Sequence, residues 1–151
     1  METTLALTID GLVEQPLHLT FADLRNYPDE AQIADVSKFV AKREGQGVKL
    51  QALLAQAHPF PQAQYITLHS ADGSFSASIE RAQIEERAIL IYQKDGAPLP
   101  ESLGGPIRFV IPDFHDPCAN VRGLGRIELS KTAGRDTRPS LVQIQPPKKH
   151  S

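Results

Sequence analysis

Leu5, Leu7 and Ile9 alternate with Ala6, Thr8 and Asp10, the period-two pattern of a strand buried on one face. Gly11 breaks the pattern, and Leu17 and Leu19 flank an outward His18 in a second short strand. Thr20, with Asp23 three residues on, forms a capping-box signal for a short helix that Tyr27-Pro28 stops. Val48, Leu50, Leu53, Leu54 and Ala57 recur at helical spacing and predict an amphipathic helix over 48–57. Residues 65–69 begin a strand that runs to Asp72-Gly73, a two-residue hairpin signal, with Phe75, Ala77 and Ile79 alternating on the return. Residues 80–84 predict one helical turn, and the unbroken apolar run 88–92 predicts a central strand buried on both faces.

The stretch from Asp95 to Ser130 reads as turn, loop, buried strand, polar loop and last strand. Asp95-Gly96 supplies a tight turn, and Pro98 and Pro100 keep the chain out of helix. Gly104-Gly105-Pro106 lets backbone pass close to a neighbour before the apolar run 107–111, which Pro112 ends. Arg108 is the single charge inside that run, so it needs a partner or an edge. The remaining 131–151 loses all periodicity and carries several prolines and basic residues. The chain is therefore expected to divide into a domain at 1–131 and a basic Pro-containing tail at 132–151, with Leu141, Val142 and Ile144 able to pin the tail to another surface.

Composition narrows the function classes. A chain of 151 residues suits one domain with a sizeable core, and 23% charged against 40% hydrophobic residues is ordinary for a globular protein. The net charge of −2 argues against nucleic acid or an anionic membrane as partner. No apolar run approaches the roughly 20 residues of a membrane span. The opening METTLALTID lacks the features of a secretion signal, so a cytoplasmic location is expected. One cysteine excludes an internal disulfide.

Two stretches carry candidate chemistry. Asp113, His115, Asp116 and Cys118 offer groups able to ligate zinc or iron, although no second cluster is spaced to complete a site. Lys38, Lys42 and Arg43 form a basic cluster that suits an anion or a solvated loop. The motifs of serine hydrolases, zinc peptidases and P-loops are absent.

The series DGAPLP at 95–100, GGPIRFVIP at 104–112 and NVRGLGRIELS at 120–130 resembles the molybdopterin-binding domain of the sulphite-oxidase superfamily. The opening strand, the helix at 19–24, the Gly47-Val48-Lys49-Leu50 step and Ala71-Asp72-Gly73 are similar to its other landmarks, in family order, over roughly residues 5 to 130. The resemblance implies an α+β protein of the sulphite-oxidase-like molybdopterin-binding fold, with mixed β-sheets and a few short helices. It implies a molybdenum cofactor, with Lys38, Arg43, His69, Asp72, Gly73, Asn120 and Arg122 as cofactor-binding residues and Arg108 as a brace of the fold.

One departure changes the expected chemistry. The cysteine whose thiolate grips molybdenum in that family should fall within residues 34–37, where this chain has Ala34, Asp35, Val36 and Ser37. A hydroxyl replaces soft thiolate poorly. Cys118, aided by Arg122, is the substitute thiolate for catalysis and metal binding, with His115 as a further metal ligand; the plain alternative is a cysteine packed under the last strand. Two functions follow: a molybdenum-cofactor-dependent oxidoreductase with an atypical site and a separate protein as redox partner, or a non-catalytic module whose cleft takes another anion or a partner protein.

Overall fold

The fold was obtained as a computed structural model that describes residues 5–114, 116 and 119–137. Two sheets form its frame, one mixed and one wholly antiparallel. Strand β1 (Leu5–Gly11) turns back into β2 (Leu17–Thr20), and the alternation along β1 places Leu7 and Ile9 fully in the core. Thr20 caps helix α1 (Phe21–Arg25): its hydroxyl accepts from the Asp23 amide while the Asp23 carboxylate accepts from the Thr20 amide. This reciprocal cap satisfies two donors that a helix start leaves open.

Strands β3 (Gln32–Ile33) and β4 (Gln46–Lys49) come next, and β4 runs directly into α2 (Leu50–Ala57). Gly47 and Val48, expected at the helix start, are therefore strand residues. Their backbone pairs with both neighbouring strands, which outweighs the helical spacing of Val48. Leu50, Leu53, Leu54 and Ala57 form the buried stripe of α2 as expected.

Strands β5 (Tyr65–Ser70) and β6 (Ser76–Glu80) form an antiparallel pair, with Ile66, Leu68, Ala77 and Ile79 buried. Their connection spans residues 71–75 and is wider than the two-residue turn that Asp72-Gly73 suggests. After helix α3 (Arg81–Ile84), β7 (Ile89–Lys94) is buried on both faces: Leu90 and Tyr92 join the main core, Ile89 and Ile91 a smaller one with Ile33, Val36, Leu99 and Val110. Asp95 and Gly96 both take positive φ, 55° and 82°, and fold β8 (Ala97–Pro98) back on β7. That is the twist a two-residue hairpin turn requires.

Strand β9 (Arg108–Val110) also pairs with β7, and β10 (Leu124–Ser130) closes the structure. β10 lies between β1, to which it is parallel, and β5, to which it is antiparallel. The sheets are thus β2-β1-β10-β5-β6 and β3-β4-β7-β8, with β9 on β7. Past β10 the chain reaches the open edge of β6. Gly134 N donates to Ser78 Oγ at 2.8 Å, Ser78 N to Asp136 Oδ2 at 3.1 Å and Thr137 N to the Ser76 carbonyl at 2.8 Å. These bonds satisfy edge groups that would otherwise invite strand addition. The tail from residue 138, including Leu141, Val142 and Ile144, lies outside the described residues. Among the described residues no helix is long and apolar enough to cross a membrane.

Candidate functional site

Three loops at one end of the β5-β6 pair enclose a cavity of about 490 Å³. They are Ser70–Phe75, the stretch holding Glu101, Gly105 and Pro106, and Asn120–Gly123. Backbone bonds stitch them together: Ala71 N donates to the Gly123 carbonyl at 2.7 Å, and Gly123 N to the Gly104 carbonyl at 2.8 Å. Gly105 is required here because a Cβ on it would stand 1.8 Å from the Leu99 carbonyl oxygen.

Asp72 shapes the first loop. One oxygen, Oδ1, accepts from Ser70 Oγ at 2.9 Å, Ser74 N at 2.9 Å and Ser74 Oγ at 2.7 Å. This side-chain turn, which competes with a plain hairpin, explains the wider loop. The Ser74 hydroxyl first, then the Ser74 amide and the Ser70 hydroxyl, hold the carboxyl down at about 2. It stays ionised on the cavity wall across ordinary pH. Asn120 Oδ1 accepts from Ile111 N at 3.1 Å, which fixes the amide of a second wall residue.

Arg122 joins this cavity to a group of arginines from separate elements. Its Nη2 donates to the Ser102 carbonyl at 3.2 Å, and Arg108 Nη1 donates to the Leu103 carbonyl at 3.3 Å. Burial, then the positive charges of Arg43 and Arg122, push the Arg108 guanidinium below its ordinary value. Among the described residues none of the three has a carboxylate within ion-pairing distance. Nε of Arg43 and Nε of Arg108 are buried without a hydrogen-bond partner. Uncompensated like charges with orphaned donors are what a fork-shaped binding site for phosphate or carboxylate presents.

The residues expected at the site separate into three places. Asp72, Asn120 and Arg122 line the cavity; Arg43 does not, although its charge acts on Arg108. His69 instead faces a second hollow of about 360 Å³ with Gly73, Gly125 and Arg126, where its Nε2 lies 3.0 Å from Glu128 Oε1. His69 and Asp72 belong to the same β-turn region, but the loop bends between them and sends the two to different sides. Lys38 ends an exposed helical turn and lines neither hollow. His115 and Cys118 lie outside the described residues. Arg108, expected only to brace the fold, does bond the Leu103 carbonyl but also keeps an unpartnered Nε beside other arginines, which the sequence reading did not anticipate. Its signal was a lone charge in an apolar strand.

The stretch expected to grip a metal forms yet another hollow, about 420 Å³, lined by Ala34, Asp35, Ser37, Glu44, Gln46 and Lys94. Among the described residues, 70–75 and 120–123 thus share the first cavity while 34–46 line this separate hollow. Its oxygen donors are already engaged: Asp35 Oδ1 accepts from the Ser37 amide and hydroxyl, and Glu44 pairs with Lys94 at 3.2 Å. Among the described residues no group of three His, Cys, Asp or Glu could hold a metal ion. Among the described residues a molybdenum cofactor thus finds matching groups at its phosphate end only. The arginines and their orphaned Nε atoms suit its phosphate; the hard, mutually satisfied oxygens at 34–46 do not suit its metal.

Comparison with known proteins agrees with the fold. The family described as oxidoreductase molybdopterin binding domain matches residues 2–137. The protein named uncharacterized oxidoreductase YuiH of Bacillus subtilis (strain 168) is 26% identical over 113 residues, 72% of this chain and 57% of that one. The sulfane dehydrogenase SoxCD from Paracoccus pantotrophus superposes with a TM-score of 0.67 at 24% identity, covering 88% of this chain and 40% of that one, a likeness of fold. This chain spans little more than half the length of the curated relative it matches. With one mixed and one antiparallel sheet, the loop cavity and a family match over most of its length, the chain belongs to the oxidoreductase molybdopterin-binding domain family.

Proposed function

We propose that the cavity holds a phosphorylated pterin of the molybdopterin type, in a cofactor site that is atypical at its metal end. Arg122 takes the phosphate at the cavity wall, where the charges of Arg108 and Arg43 add to the attraction, while Asp72 and Asn120 orient polar edges of the ring. The observation that carries this reading is the set of three arginines without a carboxylate, two of them with a buried unpartnered Nε. When bound with its metal, the cofactor would supply two-electron redox chemistry. What the chain's own residues do is bind and orient: fixed guanidinium forks set the position of the phosphate, and the ionised Asp72 accepts ring N–H groups.

The test is to isolate the full chain from a cofactor-competent host and quantify released pterin by fluorescence. One pterin per chain is expected, falling at least about tenfold in Arg122→Ser while the circular dichroism stays that of the parent, since a charge-assisted bond to phosphate accounts for that much affinity. No pterin in the parent, or unchanged pterin in the variant, refutes the reading. The second reading is a non-catalytic module on the same fold, and the occupied oxygens around Asp35 and Ser37 favour it. Reduction or oxidation of a dye-coupled substrate by the isolated chain would decide against that reading.

A further inference from the structure

Resting on that reading, we infer that the site holds the phosphorylated pterin without any bond to its metal. The anchoring groups are divided unequally between the two ends of the ligand. At the phosphate end, Arg43 and Arg122 each act on the Arg108 charge, none of the three has a carboxylate partner among the described residues, and the buried Nε atoms of Arg43 and Arg108 lack acceptors. An incoming phosphate would neutralise that repulsion and satisfy both donors at once.

At the other end, nothing described can form a strong bond to a soft metal. Ala34 presents a methyl group, Asp35 and Ser37 are bonded to each other, and Glu44 is held by Lys94, which also approaches Asp95 at 3.6 Å. To ligate a metal, Asp35 would first have to give up the two Ser37 bonds that keep its carboxyl below the ordinary value. The hollow at 34–46 is also separate in its lining from the cavity that Asp72 and Arg122 share. Retention of the ligand therefore comes from phosphate and ring contacts, and the metal adds no affinity.

The prediction separates cleanly from the one above when the same full chain is produced in two hosts. One host completes the molybdenum cofactor; the other makes the pterin but is blocked at metal insertion. Equal pterin per chain from both hosts, whatever the molybdenum content in the first by elemental analysis, is the expected result. Pterin recovered only from the metal-competent host, with one molybdenum per pterin, overturns this inference and leaves the proposed function standing. Pterin from neither host overturns both. A further readout uses Arg108→Met: pterin should fall by the same factor in both hosts, because the arginine acts on the phosphate whether or not a metal is present. A fall confined to the metal-blocked host would show that a metal bond holds the ligand and would likewise overturn the inference.

Discussion

Arg108→Met separates a brace from a binding group because the two roles predict opposite signs. In the folded chain Arg108 makes a single long bond, 3.3 Å to the Leu103 carbonyl, and its Nε is buried without an acceptor. A bond of that length contributes about 0.5 kcal/mol, while an unpaired buried donor costs about 1–3 kcal/mol. The guanidinium is only partly withdrawn from water and its repulsion with Arg43 and Arg122 is screened, so the lower end of that range applies, about 1 kcal/mol. Methionine keeps the apolar stem and removes the charge. In chloride, Arg108→Met should therefore be between unchanged and about 1 kcal/mol more stable than the parent. Inorganic phosphate, added at tenfold its dissociation constant for the parent, stabilises a binding protein by about 1.4 kcal/mol. If the variant binds about tenfold more weakly, the same phosphate adds only about 0.4 kcal/mol. Urea unfolding midpoints in phosphate and in chloride of matched ionic strength measure both quantities. A variant that unfolds earlier in chloride yet keeps the whole phosphate increment would make Arg108 a brace, and the arginine site would fail with it.

Other expected outcomes follow from single contacts. Gly105→Ala places a methyl group against the Leu99 backbone and should cost about 3 kcal/mol or more, seen as a lowered urea midpoint with loss of pterin. Asp72 is held at about 2 against an ordinary 3.8, so its contribution is complete above pH 3.8 and is lost as pH falls through about 2. Asp72→Asn should accordingly be less stable than the parent at neutral pH, with the gap closing between those values in acid unfolding curves. Cys118→Ser should leave molybdenum content unchanged by elemental analysis; a fall would make that cysteine the substitute thiolate. Tyr27, which burial and then the nearby Asp23 charge push up to about 12, should give an ionisation step near that pH in an ultraviolet titration, and Tyr27→Phe should remove it.

Much of the fold is visible in the residues alone because its signals are local. The alternation of Leu7 and Ile9, the Thr20–Asp23 cap, the stripe on α2 and the Asp95-Gly96 turn each depend on neighbours a few residues away. The family landmarks are likewise short motifs in order. Where the reading slipped, a longer-range bond decided the outcome. Val48 has helical spacing but pairs with β3 and β7, and Asp72-Gly73 has hairpin chemistry but the Asp72 carboxylate draws in Ser70 and Ser74.

The tertiary structure alone decided which residues meet. Thr8 lies beside Arg126 only because β10 inserts between β1 and β5, and the burial of Thr67, Ser76 and Ser78 depends on residues 134–137 reaching the edge of β6. Arg43, Arg108 and Arg122 come from a loop, a strand and a turn, so no spacing along the chain could bring them together. His69 and Asp72, three residues apart, part company for the same reason: a turn chooses sides by its hydrogen bonds, not by sequence distance. The sequence determined the family and the missing sulphur at residues 34–37; packing determined that Arg43, Arg108 and Arg122 carry charge that no carboxylate answers among the described residues.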